Sequence, residues 1–171
     1  FHARDGVALG KSLMRLTELP ELLTGFAAAG LKGLAETFDP LTDVADLLER
    51  ALDEDAPLGL KEGGIIKAGY NEQVDKLRSA TEQSKEWLNE LETRERQATN
   101  IKNLRIGFNR VFGYYIEVTK SYLEKVPFRY QRKQTLANAE RYVTQELKEL
   151  ESQILGASEK AMALEYHLFV E

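Results

Sequence analysis

The sequence predicts a mainly α-helical fold interrupted by one small β-sheet, and three observations support this class. Residues 71–97 and 145–170 both place apolar side chains at alternating spacings of three and four, which is typical of a helix with one narrow buried seam. Between them, residues 104–118 alternate in polarity and are rich in aromatic and β-branched side chains, as strands are. Because a narrow seam suits a single partner helix, we expect an antiparallel pair of long helices with the strand-rich block at its tip.

The first 70 residues predict shorter helices. Apolar spacing predicts a helix over residues 4–26 that Pro20 divides, because the proline ring blocks the preceding turn. Asp39 and Pro40 have the residue types of an N-cap and a first helical position, so we expect another helix to begin there. The short apolar run at residues 63–69 is bounded by glycines and fits either a small strand or a packed loop.

The central block predicts a hairpin and one further strand. Its alternation indicates strands at residues 104–108 and 114–118, joined by a turn over residues 110–113. Two strands alone are only marginally stable, so we expect a third strand around residues 132–142. Each strand would bury one face and expose the other.

The distribution of charge also separates the central block from the two predicted long helices. The chain has a formal net charge of −5, but residues 102–141 contain nine basic and three acidic side chains, so this block carries +6 on an otherwise acidic polypeptide. Such a basic island has two interpretations. Its arginines and lysines bind the phosphates of a nucleic acid, or they only solvate exposed strand faces and protect strand edges from aggregation.

Several kinds of site have little support in the sequence. There are no cysteines, which excludes disulfides and thiolate metal sites and fits a reducing, cytoplasmic setting. No apolar run approaches the length of a membrane span. Gly10-Lys11-Ser12 lacks the upstream glycine of a phosphate-binding loop, so we expect no nucleotide cofactor here. The chain begins at Phe1 rather than Met, and we expect it to be a piece of a longer polypeptide.

Three functions fit these observations. The first is a non-enzymatic module whose tip grips a nucleic acid through its phosphates, with hydrogen bonds from side chains such as Asn109, Gln134, Thr135 and Asn138. The second is a coiled-coil protein–protein interaction module whose basic tip docks on an acidic partner. The third is an enzyme with a carboxylate site such as Glu140, although an ordinary ion pair with Arg141 explains that residue equally simply.

Long segments of the sequence are similar to one known family. IGFNRVFGYYIEVTK and RKQTLANAERYVTQELKELE closely resemble the MutS family of bacterial DNA mismatch-recognition proteins, as do GGIIKAGYNEQVDKLR and RDGVALGKSLMRLTELPELL. The resemblance implies a first part of the core or lever domain at residues 1–101, an inserted basic clamp domain at residues 102–143 and a returning lever helix at residues 144–171. It also implies duplex DNA as the partner, which the clamp would grip through the backbone independently of base sequence.

The resemblance further implies what this chain does not do by itself. In the family, mismatch reading and ATP hydrolysis belong to other domains, so we expect no enzyme activity here, and ATP and Mg²⁺ only in the full-length protein. The full-length family members are homodimers.

The resemblance also implies a set of DNA-binding residues. The family's DNA-facing clamp segment matches the region of Arg132, Lys133, Gln134, Thr135 and Asn138, with Arg110 and Arg105 as further candidates. Ala137 stands where some members have lysine, and the missing charge would weaken the local grip on phosphate.

Overall fold

The computed structural model describes all 171 residues and confirms a mainly helical chain with one small antiparallel sheet. The helices are α1 Ala3–Leu16, α2 Leu19–Thr24, α3 Ala29–Thr37, α4 Thr42–Ala51, α5 Glu72–Thr99 and α6 Gln145–Val170, with a 3-10 helix at Lys120–Lys125. The strands are β1 Arg105–Asn109, β2 Gly113–Thr119, β3 Gln131–Thr135 and β4 Ala139–Val143. None of the helices has the length and hydropathy needed to cross a membrane.

The chain forms two compact units. The first unit comprises Phe1–Asp75 and Ala161–Glu171, and the second comprises Lys76–Lys160. Helix α5 begins in the first unit and ends in the second, whereas α6 begins in the second and ends in the first. The sheet lies wholly within the second unit.

The first unit is built on the close contact of α1 with α4. Gly6 and Gly10 lie one turn apart on α1, and a Cβ atom at Gly6 would be only 2.5 Å from a methyl carbon of Leu52. A Cβ atom at Gly10 would be 3.2 Å from the Cβ atom of Leu48. These glycines therefore let the two helices approach more closely than larger residues would allow.

Of two sequence predictions in the first unit, the one at Pro20 held and the one at Asp39 did not. The predicted division near Pro20 is confirmed, with Pro20 in the first turn of α2, where its missing N–H costs nothing. The predicted helix start at Asp39 and Pro40 is wrong, because α4 begins at Thr42 after Leu41, whose φ is 52°. The Asp39 carboxylate instead accepts a hydrogen bond from the Leu41 N–H at 2.9 Å and closes a turn before the helix.

The glycine-bounded run at residues 63–69 is a packed loop with a single β-bridge between Leu52 and Ile66. Its two left-handed glycines, Gly63 and Gly64, direct the next two N–H groups toward α6. The carboxylate of Glu165 accepts both, at 2.6 Å from Ile65 N and 3.3 Å from Ile66 N. Glu165 is only 2% exposed, so these bonds satisfy donors that water does not reach.

Local side chains and backbone conformation set the boundaries of the two long helices. The Asn71 side chain accepts hydrogen bonds from the N–H groups of Gln73 and Val74, which caps the start of α5. Asn100, with a φ of 53°, adopts the left-handed conformation that ends this helix. The Thr144 hydroxyl accepts from the N–H of Leu147 at 3.2 Å and caps the start of α6.

Within the second unit, α5 and α6 pair antiparallel along the predicted seam. Leu88 and Leu91 of α5 pack in one core with Leu147 and Ile154 of α6. The end of α5 lies beside the start of α6, where Arg94 Nη2 is 2.5 Å from a Glu146 carboxylate oxygen. The same core continues into the sheet through Ile101, Leu104, Ile116, Val118 and Tyr142.

The sheet is antiparallel throughout, with strand order β1-β2-β4-β3. The predicted hairpin is confirmed as β1 and β2. The single strand predicted around residues 132–142 is wrong in number, since this stretch forms a second hairpin, β3 and β4, with a turn at residues 136–138. Strand β3 contains a register shift between Arg132 and Gln134, which leaves Lys133 as the extra residue of a β-bulge.

We predict that Glu165→Ala destabilises the protein by about 3 kcal/mol, because the buried N–H groups of Ile65 and Ile66 lose their acceptor. Glu165→Gln keeps one acceptor oxygen and is expected to cost less. Urea unfolding followed by circular dichroism measures both variants. An alanine variant as stable as the parent protein would show that the carboxylate is not needed at this position.

Candidate nucleic-acid interface

The predicted DNA-binding residues lie on both edges of the sheet. Strand β3, one edge, carries Arg132, Lys133, Gln134 and Thr135. Arg105 begins β1, the opposite edge. Asn138 lies in the turn between β3 and β4, and Arg110 lies in the turn between β1 and β2. The structure thus brings together the β3 residues and Asn138.

The two hairpin turns lie at opposite ends of the sheet. Strands β2 and β4 are antiparallel neighbours, with Thr119 opposite Ala139, so the end of β2 meets the start of β4. The turn containing Arg110 precedes β2 and is therefore at the other end. Arg110 is exposed but does not lie beside Thr135 and Asn138.

Arg105 and Gln134 belong to a row of polar side chains that crosses all four strands on one face. Arg105 donates to one oxygen of Glu117 through Nε at 3.0 Å and also through Nη2. Arg141 Nε donates to the other Glu117 oxygen at 3.0 Å, and Arg141 Nη1 donates to the Gln134 side-chain oxygen at 3.1 Å. The Arg141 guanidinium lies 4.1 Å from the ring centroid of Tyr115.

The charge of Glu117 is stabilised by this row although the residue is only 8% exposed. Burial by itself raises the pKa of the Glu117 carboxyl, but the hydrogen bonds from Arg105 and Arg141 outweigh it and lower the pKa below its ordinary value. The same hydrogen bond from Arg105 raises the pKa of its guanidinium. Glu117 is therefore an ionised carboxylate that two arginines hold in place.

Two more buried glutamates of the second unit are each held by one arginine and one tyrosine hydroxyl. Glu95 accepts hydrogen bonds from the Tyr130 hydroxyl at 2.7 Å and from Arg129 at 2.5 Å. Glu140 accepts from the Tyr142 hydroxyl at 2.5 Å and lies 3.5 Å from Arg132.

The tyrosines of these two clusters are held in the protonated form. Burial and the hydrogen bond to Glu140 raise the pKa of Tyr142 to about 12. Burial and the hydrogen bond to Glu95 raise the pKa of Tyr130 further still. Both hydroxyl groups therefore remain donors to the carboxylates at neutral pH, which supports the packing of the sheet.

Eight of the nine cations of the block fall into two groups; the ninth, Lys125, donates to the Asn100 carbonyl oxygen at 3.4 Å. Four arginines have a buried carboxylate as partner: Arg105, Arg129, Arg132 and Arg141. Lys102, Arg110, Lys120 and Lys133 are exposed and have no acidic group within 4.0 Å. The second group can meet an external anion without first breaking an internal ion pair.

Sequence reasoning did not single out Asn103, Lys120 or Ser121 as site residues. The structure places all three at the same end of the sheet as Asn138. The Lys120 N–H donates to the Asn138 carbonyl oxygen at 3.0 Å. The Asn103 amide donates to the Thr119 hydroxyl at 2.5 Å, and Thr119 is 3.0 Å from the Ser121 hydroxyl. We call the surface formed by Asn103, Lys120, Ser121, Thr135 and Asn138 the turn end of the sheet.

The position of Lys120 in the sequence explains why it was not predicted as a site residue. Lys120 directly follows β2, so its sequence position indicated only a strand terminus, and pairing of β2 with β4 is what places it against Asn138. The turn end combines a free cation with hydroxyl and amide groups, a set that suits phosphate oxygens.

Comparison with known proteins gives one consistent result. Residues 69–160 match the family model described as MutS family domain IV. The chain is 55% identical over 170 residues to the DNA mismatch repair protein MutS of Ruminiclostridium cellulolyticum, a match that covers 99% of this chain and 20% of the relative. It is 56% identical over 170 residues to the protein of the same name from Caldicellulosiruptor bescii, with the same coverage.

A third relative extends the match to another genus. The DNA mismatch repair protein MutS of Caldanaerobacter subterraneus is 55% identical over 168 residues, which cover 98% of this chain and 19% of the relative. The chain therefore spans about one fifth of the length of the curated relatives that it matches.

We predict that Glu117→Gln destabilises the protein by about 2 kcal/mol at pH 7, because the charged acceptor of two arginines is lost. The pKa of Glu117 is lowered by folding, so its stabilisation is present above the ordinary pKa of a glutamate and is lost as the pH falls through the folded-state pKa. The difference between variant and parent should therefore shrink as the pH falls below the ordinary pKa of a glutamate.

Urea unfolding at pH 7 and at acidic pH measures this difference. Glu86→Gln, which removes an exposed carboxylate from α5, serves as the matched control and is expected to have little effect at either pH. An equal loss of stability for Glu117→Gln at both pH values would show that the charge of Glu117 is not the cause.

Proposed function

This chain belongs to the MutS family, and we propose that its sheet binds duplex DNA through the phosphate backbone without reading the base sequence. One observation carries the proposal: the unpaired Lys120 lies at the turn end beside hydroxyl and amide side chains, and the unpaired Lys133 lies on the edge strand β3, on an otherwise acidic chain. Arginine or lysine with small polar donors is the usual composition of a phosphate-binding surface.

The distribution of charge is expected to turn the sheet toward DNA as well as to attract DNA. The residues outside the basic block carry a formal charge of −11, which repels a polyanion, whereas the block attracts it. Lysine contacts with phosphate release condensed counterions, so binding of this kind weakens steeply as salt increases. It does not distinguish one base pair from another, because phosphate oxygens are the same at every step.

The proposal extends to the division of the chain. We assign residues 102–143 to a clamp that touches DNA, and residues 1–101 and 144–171 to the core and lever segments that carry it. Helices α5 and α6 enter and leave the clamp directly, which suits segments that transmit motion. Two clamps of a homodimer would hold DNA more strongly than one, since the second contact becomes intramolecular.

The proposal assigns no catalytic step to this chain. The relatives are named for DNA mismatch repair, and this chain matches about one fifth of their length. We assign mismatch reading and the ATP and Mg²⁺ chemistry of the family to the part of the relatives that this chain does not match. Within the present sequence, Gly10-Lys11-Ser12 lies inside α1 rather than in a loop after a strand, an unsuitable place for a phosphate-binding loop. A cytoplasmic location is part of the same proposal.

We predict that Lys133→Ala and Lys120→Ala each weaken binding to any duplex, whatever its sequence. Each should make the dependence of log K on log salt shallower by about 0.9, the value expected for one lost phosphate contact. Fluorescence anisotropy of a labelled duplex at several salt concentrations measures both quantities. The matched control is Lys32→Ala, which removes the same charge from an exposed position of the first unit.

Homoduplex and mismatched duplex should bind this chain equally. A changed preference among duplex sequences in either lysine variant would indicate base reading and contradict the proposal. Absence of salt-sensitive binding by the parent chain would instead favour an acidic protein as the partner of the basic block.

A further inference from the structure

The bulge in β3 determines where Lys133 is directed. On β4, Tyr142 and Arg141 are consecutive, but their partners on β3 are Arg132 and Gln134. Lys133 is the residue without an opposite partner. A β-bulge re-aims the side chain of its extra residue and increases the local twist of the strand. The direction of this free cation therefore depends on which residue of β3 is bulged.

An edge strand of polar residues does not fix its own register. Strand β3 has the sequence QRKQT, its side chains are exposed or half-buried, and no apolar residue of the strand ties it to the core. Register is weakly specified in strands that lack a buried face, so the bulge could slip to a neighbouring residue unless a specific contact holds it.

The structure supplies that contact from the interior of the sheet. Gln134, the residue directly after the bulge, accepts a hydrogen bond from Arg141 Nη1 at 3.1 Å. Arg141 is in turn fixed at two other points, by the Glu117 carboxylate at 3.0 Å and by the Tyr115 ring at 4.1 Å. Its side chain is only 19% exposed, so it cannot itself serve as a free surface cation.

We propose that Arg141 is a positioning residue that fixes the β3 bulge through Gln134 and thereby directs Lys133 toward a DNA phosphate. This inference rests on the proposed function. In it, Gln134 links β3 to Arg141 through a hydrogen bond and does not bind phosphate itself. Glu117 and Tyr115 support it by holding the arginine in one orientation.

A double-mutant cycle on the whole chain tests the inference. Lysine retains the charge of Arg141 but lacks the planar fork that reaches Glu117 and Gln134 together. We expect Arg141→Lys to make the salt slope of duplex binding shallower by about 0.9, as Lys133→Ala does. The salt slope of the double variant should be no shallower than that of either single variant, because both changes remove the same phosphate contact.

Two further variants separate positioning from general damage to the fold. Arg96→Lys, which alters an arginine bonded to Glu92 and to the Leu104 carbonyl oxygen, should leave the salt slope unchanged. Gln134→Ala removes only the last link to the bulge, and its effect should be non-additive with Lys133→Ala. Additive effects of Gln134→Ala and Lys133→Ala would mean that Gln134 binds DNA directly, which would overturn the inference.

Amide hydrogen exchange provides a test that does not require DNA. If Arg141 fixes the bulge, then Arg141→Lys should speed exchange at residues 131–135 without changing exchange in β1. Parent exchange rates in this variant would overturn the inference even if the chain binds duplex DNA as proposed. Loss of salt-sensitive binding in the parent chain would refute the proposed function, while the exchange experiment would still decide whether Arg141 fixes the bulge.

Discussion

A buried carboxylate needs hydrogen-bond partners, and this requirement organises the second unit. Glu95, Glu117 and Glu140 are 5%, 8% and 8% exposed, and each is held by an arginine. An ionised group in such a place is stable only when charged or hydroxyl donors compensate for lost water. The glutamates therefore fix the arginines and tyrosines around them, and through these the register of the sheet and its attachment to α5.

This requirement also separates cations that hold the fold from cations that remain available. Arginine suits the first role because its planar fork can bond two acceptors at once, as Arg141 does with Glu117 and Gln134. Lysine carries a compact charge on a flexible stem, which suits a mobile contact with phosphate. The sequence block counted as +6 is thus a set of four arginines paired with carboxylates, surrounded by unpaired lysines and the unpaired Arg110. In the proposed function these unpaired cations meet the DNA.

Local patterns in the sequence predicted the elements better than their pairing. The predicted helix at residues 145–170 matches α6, and the hairpin of β1 and β2 followed from alternation alone. Alternation could not show that β2 pairs with β4, because strand order depends on contacts distant in sequence. Ser84 and Glu95 are polar residues of α5, yet both are buried. Glu95 is buried because it accepts a hydrogen bond from Tyr130, 35 residues away in the sequence. Of the predicted site residues, Gln134, Arg105 and Arg132 have internal partners, which no local pattern indicates.

We propose that DNA contacts the lysines of the sheet while the arginines paired with buried glutamates keep these partners. Nuclear magnetic resonance of the lysine ammonium and arginine Nε–H groups during titration with a duplex tests this most directly. We expect shifts at Lys120 and Lys133 and unchanged signals from Arg105, Arg129 and Arg141. Large shifts of the arginine signals with silent lysines would contradict it, because they would show that phosphate displaces the buried carboxylates.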